Sequence, residues 1–537
     1  MFRRLIGLSS AGSRTGHRAL YAGAITSAAS YLYFSHLSSN SSNIRNNLSS
    51  DFNKKYIHND ALSSPAQQPY NTPTPAIVDE LKLKIGDEHV ITRQDVIQSS
   101  VNSQWSYLVD APPSIIVNPA TTQDVVEIVN IARKHHIPLI SRTAGTSLEG
   151  HCSAEHGGIM IDCEQRMAEI LEIYPDDMQV RVQPGLKWVD LNEHLEEAGL
   201  SLFFPLDPSP GAAIGGMLST NCSGTNACKY GSASSGNWFL NITVVLANGK
   251  VMKTRQRAKK SSAGIDLTKL FTGAEGTLGV ITELTLKLAP KEPTSVAIAP
   301  FDTIEDAAKG VSKVIQSGIS VNCAELLDDL SIIANNSSRT TKQYAEKPHI
   351  FFKFVGTPAH MAEDADRTAS IVREFGSHLE YAETDEEAKN LWEARKWGLA
   401  NINAMVPESR IWTTDVCVPQ SKLPALVRQI KADATQAGIY APLLSHAADG
   451  NCHFLLAFKD DKERVIVEQL VEKMVERAQA LDGTCTGEHG VGVGKKHHLV
   501  HELGDTTVEA LWSLKRAFDP DNIMNPGKLY PDIDFHK

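Results

Sequence analysis

The hydropathy period changes several times between residue 76 and the C-terminus, and each change marks an element. SIIVNP (114–119) is a short apolar run that reads as a strand. In TTQDVVEIVNIARKHH (121–136), Val125, Ile128, Val129 and Ala132 fall on one helical face, and Thr121-x-x-Asp124 is a helix-start pair. PLIS (138–141) returns to strand, which completes a β-α-β unit. NITVVLANGKVM (241–252) is strand-like and breaks at Asn248-Gly249, a hairpin dipeptide. DLTKLFTGAEGTLGVITELTLKL (266–288) joins a glycine loop around Gly273, Gly276 and Gly279 to β-branched alternation. KERVIVEQLVEKMVERAQAL (462–481) reads as a long helix.

Three segments are too rich in small residues for ordinary elements. RTAGTSLEG (142–150) follows a strand directly, and such a loop presents backbone N–H groups that can cradle a pyrophosphate. PLDPSPGAAIGGMLSTNCSGTNACKYG (205–231) should form neither a conventional core helix nor a strand, and makes sense where backbone passes close to a large ligand. The loop at 273–279 is the third. GVGVGKK (490–496) has neither the GxGxxG spacing of a dinucleotide fold nor the Ser or Thr of a phosphate-binding P-loop, which stands as Lys496 here. A nicotinamide cofactor is thereby disfavoured.

Two further segments carry candidate chemistry. In SHAADGNCHF (445–454), Asp449-Gly450 is a tight-turn dipeptide between apolar runs, so His446 and His453 should face each other across a hairpin. CTGEHGVGVGKK (485–496) adds Glu488 and His489. Two imidazoles and one carboxylate are a recurring divalent-metal set that leaves a position open for substrate. His489, beside the candidate ligand Glu488, would remain as a base. Each fragment alone is more often an ordinary turn; both together, alongside the glycine-rich segments, point to chemistry.

Charge divides the chain. The 537 residues carry a net −11, with 42% hydrophobic and 21% charged residues, as in soluble globular proteins. Residues 1–50 hold Arg3, Arg4, Arg14, Arg18 and Arg45 and no acid; the remainder has 47 basic and 63 acidic residues, a balance of −16. That body argues against nucleic acid and suits steering of a basic partner. The Arg- and Ser-rich start reads as a mitochondrial presequence over 1–50. Within it LYAGAITSAASYLYF (20–34) is either a short inner-membrane anchor or the rest of a cleaved matrix address. Residues 51–75 read as linker. The eight cysteines form no CxxC pair, which favours reduced thiols.

The glycine-rich segments resemble the FAD-binding domain of the vanillyl-alcohol-oxidase/PCMH flavoprotein superfamily. With the two histidine segments, CAELLDD (323–329), WEARK (392–396), TDVCVP (414–419) and FDPDNIMNPGK (518–528), the chain resembles the FAD-linked D-2-hydroxyacid dehydrogenase branch over about 76–530. The resemblance implies an α+β fold of two lobes. A PCMH-type FAD-binding domain would occupy 76–290, and a cap with an antiparallel sheet and helices 291–537, the site lying between them. It implies FAD contacts from Arg142, Thr143, Ala144, Gly145, Thr146 and Ser147; from Pro205, Asp207, Gly211, Gly215, Gly216, Ser219, Thr220, Asn221, Gly224 and Thr225; and from Gly276, Gly279, Val280, Ile281 and Asn525. Relatives usually carry Gly at the positions of Thr143 and Ala144. Covalent relatives carry His at the register of Thr146, so the flavin here should be noncovalent. A zinc or manganese ion on His446, His453 and Glu488, His489 as general base and Arg395 as a fork for the substrate carboxylate follow from the same likeness. Thr413 replaces a lysine that serves a second carboxylate in relatives acting on D-2-hydroxyglutarate, which favours a small monocarboxylate such as D-lactate. Cytochrome c is the acceptor implied. D-2-hydroxyglutarate or glycolate oxidation, and a non-catalytic flavin-binding subunit, are the alternatives.

Overall fold

A computed structural model describes residues 69–101, 106–338 and 342–532. The presequence and the segment 20–34 lie outside them. Among the described residues no helix is long and apolar enough to cross a membrane.

The β-α-β unit forms as its periodicity predicts. Strand Ile115–Val117, helix Thr122–Lys134 and strand Leu139–Arg142 follow in order. Thr121 and Asp124 make a reciprocal capping box at the helix start, worth about 1 kcal/mol. Val125, Ile128, Val129 and Ala132 are fully buried, and each of the larger three contributes roughly 1.5–3 kcal/mol by leaving water. The two strands are not neighbours: Ile159–Asp162 inserts between them, parallel to both, and Val90–Ile91 closes the four-stranded sheet antiparallel. A second, five-stranded antiparallel sheet has the order Ile170–Tyr174, Gln179–Val182, Gly279–Lys287, Phe239–Leu246, Val251–Lys253. The Asn248-Gly249 turn joins its last two strands in sequence, with Gly249 at φ +78°.

The small-residue run departs from expectation. It contains two short helices, Ile214–Ser219 and Ala227–Tyr230. The first is possible because its apolar side chains, Ile214, Met217 and Leu218, are buried, while its glycines admit close neighbours. A Cβ on Gly215 would lie 2.6 Å from Pro184 Cβ, and one on Gly216 would lie 3.0 Å from Thr143 Oγ1. Small residues here permit a helix to dock tightly rather than forbidding one.

The second lobe is built on one antiparallel sheet, in the order Glu380–Tyr381, Thr294–Pro300, His349–Val355, Val321–Leu327, Leu443–His446, Asn451–Phe458, Arg410–Thr413, with Val416–Cys417 also paired to Asn451–Phe458. Strand alternation feeds two cores. Ala297, Ala299, Phe352 and Phe354 face helices Ile304–Gln316, Leu423–Ala437 and Asp461–Ala480, whereas Val296, Ile298 and Phe351 face Leu391, Trp392 and Ile402. The chain then returns to the first lobe. Leu139 N–H donates to Ile523 O (2.7 Å) and Asn525 N–H to Leu139 O (2.7 Å), so the C-terminal segment lies beside the strand that leads into the 142–147 loop.

Candidate active site

His446 ends one strand of the second lobe and His453 lies on the next. The register pairs His446 with Asn451 and Leu444 with His453, so the two histidines are diagonal on one face rather than directly opposed. Their ring centroids are 5.3 Å apart and nearly perpendicular. The turn between them demands glycine: Gly450 has φ +80°, and a Cβ there would lie 2.1 Å from Val418 O. Glu488 reaches in from its loop, with Oε1 3.1 Å from His446 Nε2 and 3.2 Å from His453 Nε2. One ligand-type atom from each of the three lies within 4.8 Å of the others.

The outer nitrogens each face an oxygen. His453 Nδ1 is 2.9 Å from the Thr414 carbonyl, which can only accept, so Nδ1 carries a proton. The buried Nε2 of His453 makes no aligned hydrogen bond, despite its proximity to Glu488. His446 Nδ1 lies 2.9 Å from Glu325 Oε1. A carbonyl or carboxylate behind each imidazole is the usual backing of a metal-binding histidine. Burial opposes a charge on His446, but Glu325 and Glu488 outweigh it and raise its pKa well above the ordinary histidine value. Burial likewise opposes ionisation of Glu488, yet His446 and His453 hold its carboxyl well below the usual range. Glu325 and Glu488 therefore flank His446 from its two ring nitrogens. A proton on His446 Nε2 and a divalent cation compete for the same field, and the donor set suits either zinc or manganese.

His489 stacks on His453 with centroids 4.9 Å apart and planes 13° from parallel. Burial pushes its pKa down to about 4, so the ring is neutral at physiological pH. Its loop hangs on Asp415, whose Oδ2 accepts from Glu488 N–H (2.9 Å), His489 N–H (2.8 Å) and Thr486 Oγ1 (2.8 Å), while Oδ1 accepts from Asn451 Nδ2 (2.8 Å). Asp415, His453 and His489 also present close ligand-type atoms, but these donors already occupy the Asp415 oxygens. Glu275 grips the same loop from the first lobe, accepting from Val491 N–H (2.6 Å) and Gly492 N–H (2.8 Å). Arg395 donates from Nε and Nη2 to Glu325 Oε2 (2.9 and 2.6 Å), and Glu325 Oε1 faces His446. The guanidinium thus shares its carboxylate with His446, and only part of its donor fork is engaged.

Beside this cluster a cleft of about 1300 Å³, its open mouth included, runs into the first lobe. Arg142, Thr143, Gly145, Thr146, Ser147, Gly215, Gly216, Ser219, Thr220, Gly276, Gly279, Val280, Ile281 and Asn525 line it, and so do Glu488 and His489. Three glycine-rich loops therefore meet on one cavity, whose lining includes Glu488 and His489 but not His446, His453 or Arg395. Asn525 donates from Nδ2 to Glu275 O and His151 O, leaving a buried Oδ1 with no protein partner at the cleft wall. A cavity of this size, walled by loop backbone and an unpartnered amide oxygen, fits a dinucleotide cofactor. Arg142 is occupied by an ion pair with Asp162. Ala144, Pro205, Asp207, Gly211, Asn221, Gly224 and Thr225 are not among the lining residues. Several of them brace its wall: Asp207 accepts from Thr225 Oγ1 and Asn226 N–H, and a Cβ on Gly224 would sit 2.6 Å from Asp207 Oδ1. Sequence reasoning missed His151, Cys152, Pro184, Ala213, Cys222 and Glu275 on the lining, and the anchoring carboxylates Asp415 and Glu325. Glu325 and Asp415 lie in CAELLDD and TDVCVP, segments that carry the family resemblance, and Glu275 is an acid embedded in a glycine loop.

Residues 113–255 match the family described as FAD binding domain, and residues 290–529 match the FAD linked oxidases, C-terminal domain. A D-lactate dehydrogenase [cytochrome], mitochondrial, of Arabidopsis thaliana is 42% identical over 78% of this chain and 74% of its own length. D-lactate dehydrogenase [cytochrome] 1, mitochondrial, of Saccharomyces cerevisiae is 40% identical over 78% and 72%. Among solved structures, 4-ethylphenol oxidase from Gulosibacter chungangensis superposes with a TM-score of 0.72 at 17% identity, over 86% of this chain and 99% of that one, a likeness of fold. Two matched domains covering most of the described residues, relatives at this identity and a shared fold lead to one assignment: the chain belongs to the FAD-linked oxidases, in the family of the D-lactate dehydrogenases (cytochrome).

Proposed function

We propose that the protein oxidises D-lactate to pyruvate in the mitochondrion, with FAD held noncovalently in the cleft and cytochrome c as electron acceptor. The observation that carries this reading is that Glu488 and His489 line the same cleft as the three glycine-rich loops. The oxidation removes two hydrogens from the substrate: the Cα hydrogen leaves as hydride and the hydroxyl hydrogen as a proton. FAD, when bound, supplies the hydride acceptor. A zinc or manganese ion on His446, His453 and Glu488 would supply a Lewis acid for the substrate hydroxyl and carboxylate.

The chain's own residues bind, orient and move the proton. Neutral His489 takes the hydroxyl proton. Its Nδ1 is buried without a hydrogen-bond partner, 4.0 Å from Asp415 Oδ2. Arg395 offers its remaining donors to the substrate carboxylate while Glu325 fixes its orientation. Thr413, at the end of strand Arg410–Thr413, offers no charge to a second carboxylate, in keeping with a monocarboxylate. The partition near residue 290, a leader over 1–50 and an inner-membrane anchor at 20–34 that leaves the acidic body facing the intermembrane space complete the proposal.

The test uses purified holoenzyme under anaerobic conditions. D-lactate should bleach the flavin near its ordinary visible maximum, while L-lactate does not. D-2-hydroxyglutarate and glycolate should be slower. Cytochrome c reduction should slow with rising salt, since the Debye length is about 8 Å at physiological ionic strength, while reduction of a small neutral dye changes much less. Preferential bleaching by D-2-hydroxyglutarate or glycolate would reassign the substrate, and no bleaching by any of the three would indicate a non-catalytic flavin subunit.

A further inference from the structure

A second group of ligating side chains lies outside the cleft. Glu472, on helix Asp461–Ala480, meets His497 and His498, which close the 3₁₀ turn Lys496–His498. Glu472 Oε1 is 3.0 Å from His497 Nε2 and 3.7 Å from His498 Nε2. One ligand-type atom from each of the three lies within 4.8 Å of the others. Ligand bonds of about 2.0–2.1 Å in a tetrahedral site place neighbouring ligand atoms about 3.4 Å apart, and the two measured separations bracket that value.

The group is held in place from both sides. Gln479, about two turns along the same helical face, donates from Nε2 to His498 O (3.3 Å) and Glu502 Oε2 (3.1 Å), and Glu502 accepts from Cys485 N–H (2.8 Å). His498 is 8% exposed. Glu472 and His497 are about half exposed, which opens the remaining coordination positions to water and lets an ion enter without unfolding. Two imidazoles and one carboxylate suit zinc and its neighbours rather than calcium or magnesium, which take oxygen ligands.

We infer that Glu472, His497 and His498 form a second divalent-metal site, of the zinc class, that clips the long helix of the second lobe to the foot of the catalytic loop. The turn carrying the two histidines follows Lys495 directly. Lys495 Nζ lies 3.2 Å from Glu149 and 3.5 Å from Asp415, and Asp415 holds the amides of Glu488 and His489. An ion at the clip would therefore brace the end of the loop that leaves the active site.

The test is equilibrium dialysis of chelator-stripped holoenzyme against graded zinc chloride, with elemental analysis, for the wild type, His497→Asn and Glu472→Gln. Both substituted residues are half exposed, so neither change should prevent folding; unchanged FAD content and circular dichroism check this. Each variant should bind one zinc fewer per chain, or bind it at least about tenfold more weakly. Amide exchange over 495–502 should slow with zinc in the wild type and not in the variants. The same stoichiometry, affinity and exchange in all three proteins would overturn the inference. Because the readout is a difference from wild type, it stands whether or not the His446 cluster holds an ion.

Discussion

The histidine hairpin and the flavin cleft meet, yet they are built by opposite means. In the hairpin, side chains do the binding, and sheet register sets their places: His446 and His453 occupy diagonal positions on one face, and each ring is backed by an oxygen on its other nitrogen. In the cleft, glycines and other small residues let backbone form much of the wall. Gly215 and Gly216 let a short helix approach Pro184 and Thr143, and three loops contribute backbone to one cavity. One region is fixed by what its residues carry, the other by what they lack. Deleting a side chain should therefore damage the first, and adding one should damage the second.

His446→Ala should have the largest effect, because it removes a metal ligand and frees Glu325 and Glu488 from their shared partner. Turnover should fall by about three orders of magnitude or more, since a Lewis acid supplies several kcal/mol, and bound metal should be lost while FAD is retained. Unchanged metal content with unchanged kcat would remove this cluster from the catalytic reading. His489→Asn should lower the rate of anaerobic flavin reduction by roughly two to four orders of magnitude, with metal and FAD both retained. Wild-type reduction rates across pH would mean that another group takes the proton. Gly215→Val tests the other region and should have the smallest effect on chemistry. Its new side chain meets Pro184, and overpacking of about 1–3 kcal/mol should weaken FAD retention by about tenfold or more while the metal stays bound. FAD affinity equal to wild type would show that the helix Ile214–Ser219 can shift without cost.

The same contrast explains what was legible in the sequence. Helix Thr122–Lys134 could be read because its buried face repeats at helical spacing and its cap is local. The Asp449-Gly450 hairpin and the His/His/Glu set were readable because residue type and turn chemistry carry them. The small-residue run folds into two short helices where its composition predicts none, because composition reports free space but not the conformation that uses it. Asp207, Gly224 and Thr225 lie in the same stretch as the lining residues yet brace one another; no periodicity separates a wall from its support. Asp415, Glu275 and Glu325 were invisible as organisers because they act on partners far along the chain: Glu275 holds amides 216 and 217 residues downstream. Only folding brings such pairs together.

The return of the C-terminus to the first lobe bears on the order of assembly. Asn525 closes on His151, 374 residues upstream, and the Ile523 carbonyl accepts from Leu139 N–H at the strand that feeds the 142–147 loop. A chain emerging from the ribosome, or threading through a membrane pore N-terminus first, presents that strand long before its neighbour exists. The cofactor's cleft thus acquires its last wall only after the second lobe has passed through. A chain that stops short of Asn525 lacks that part of the wall.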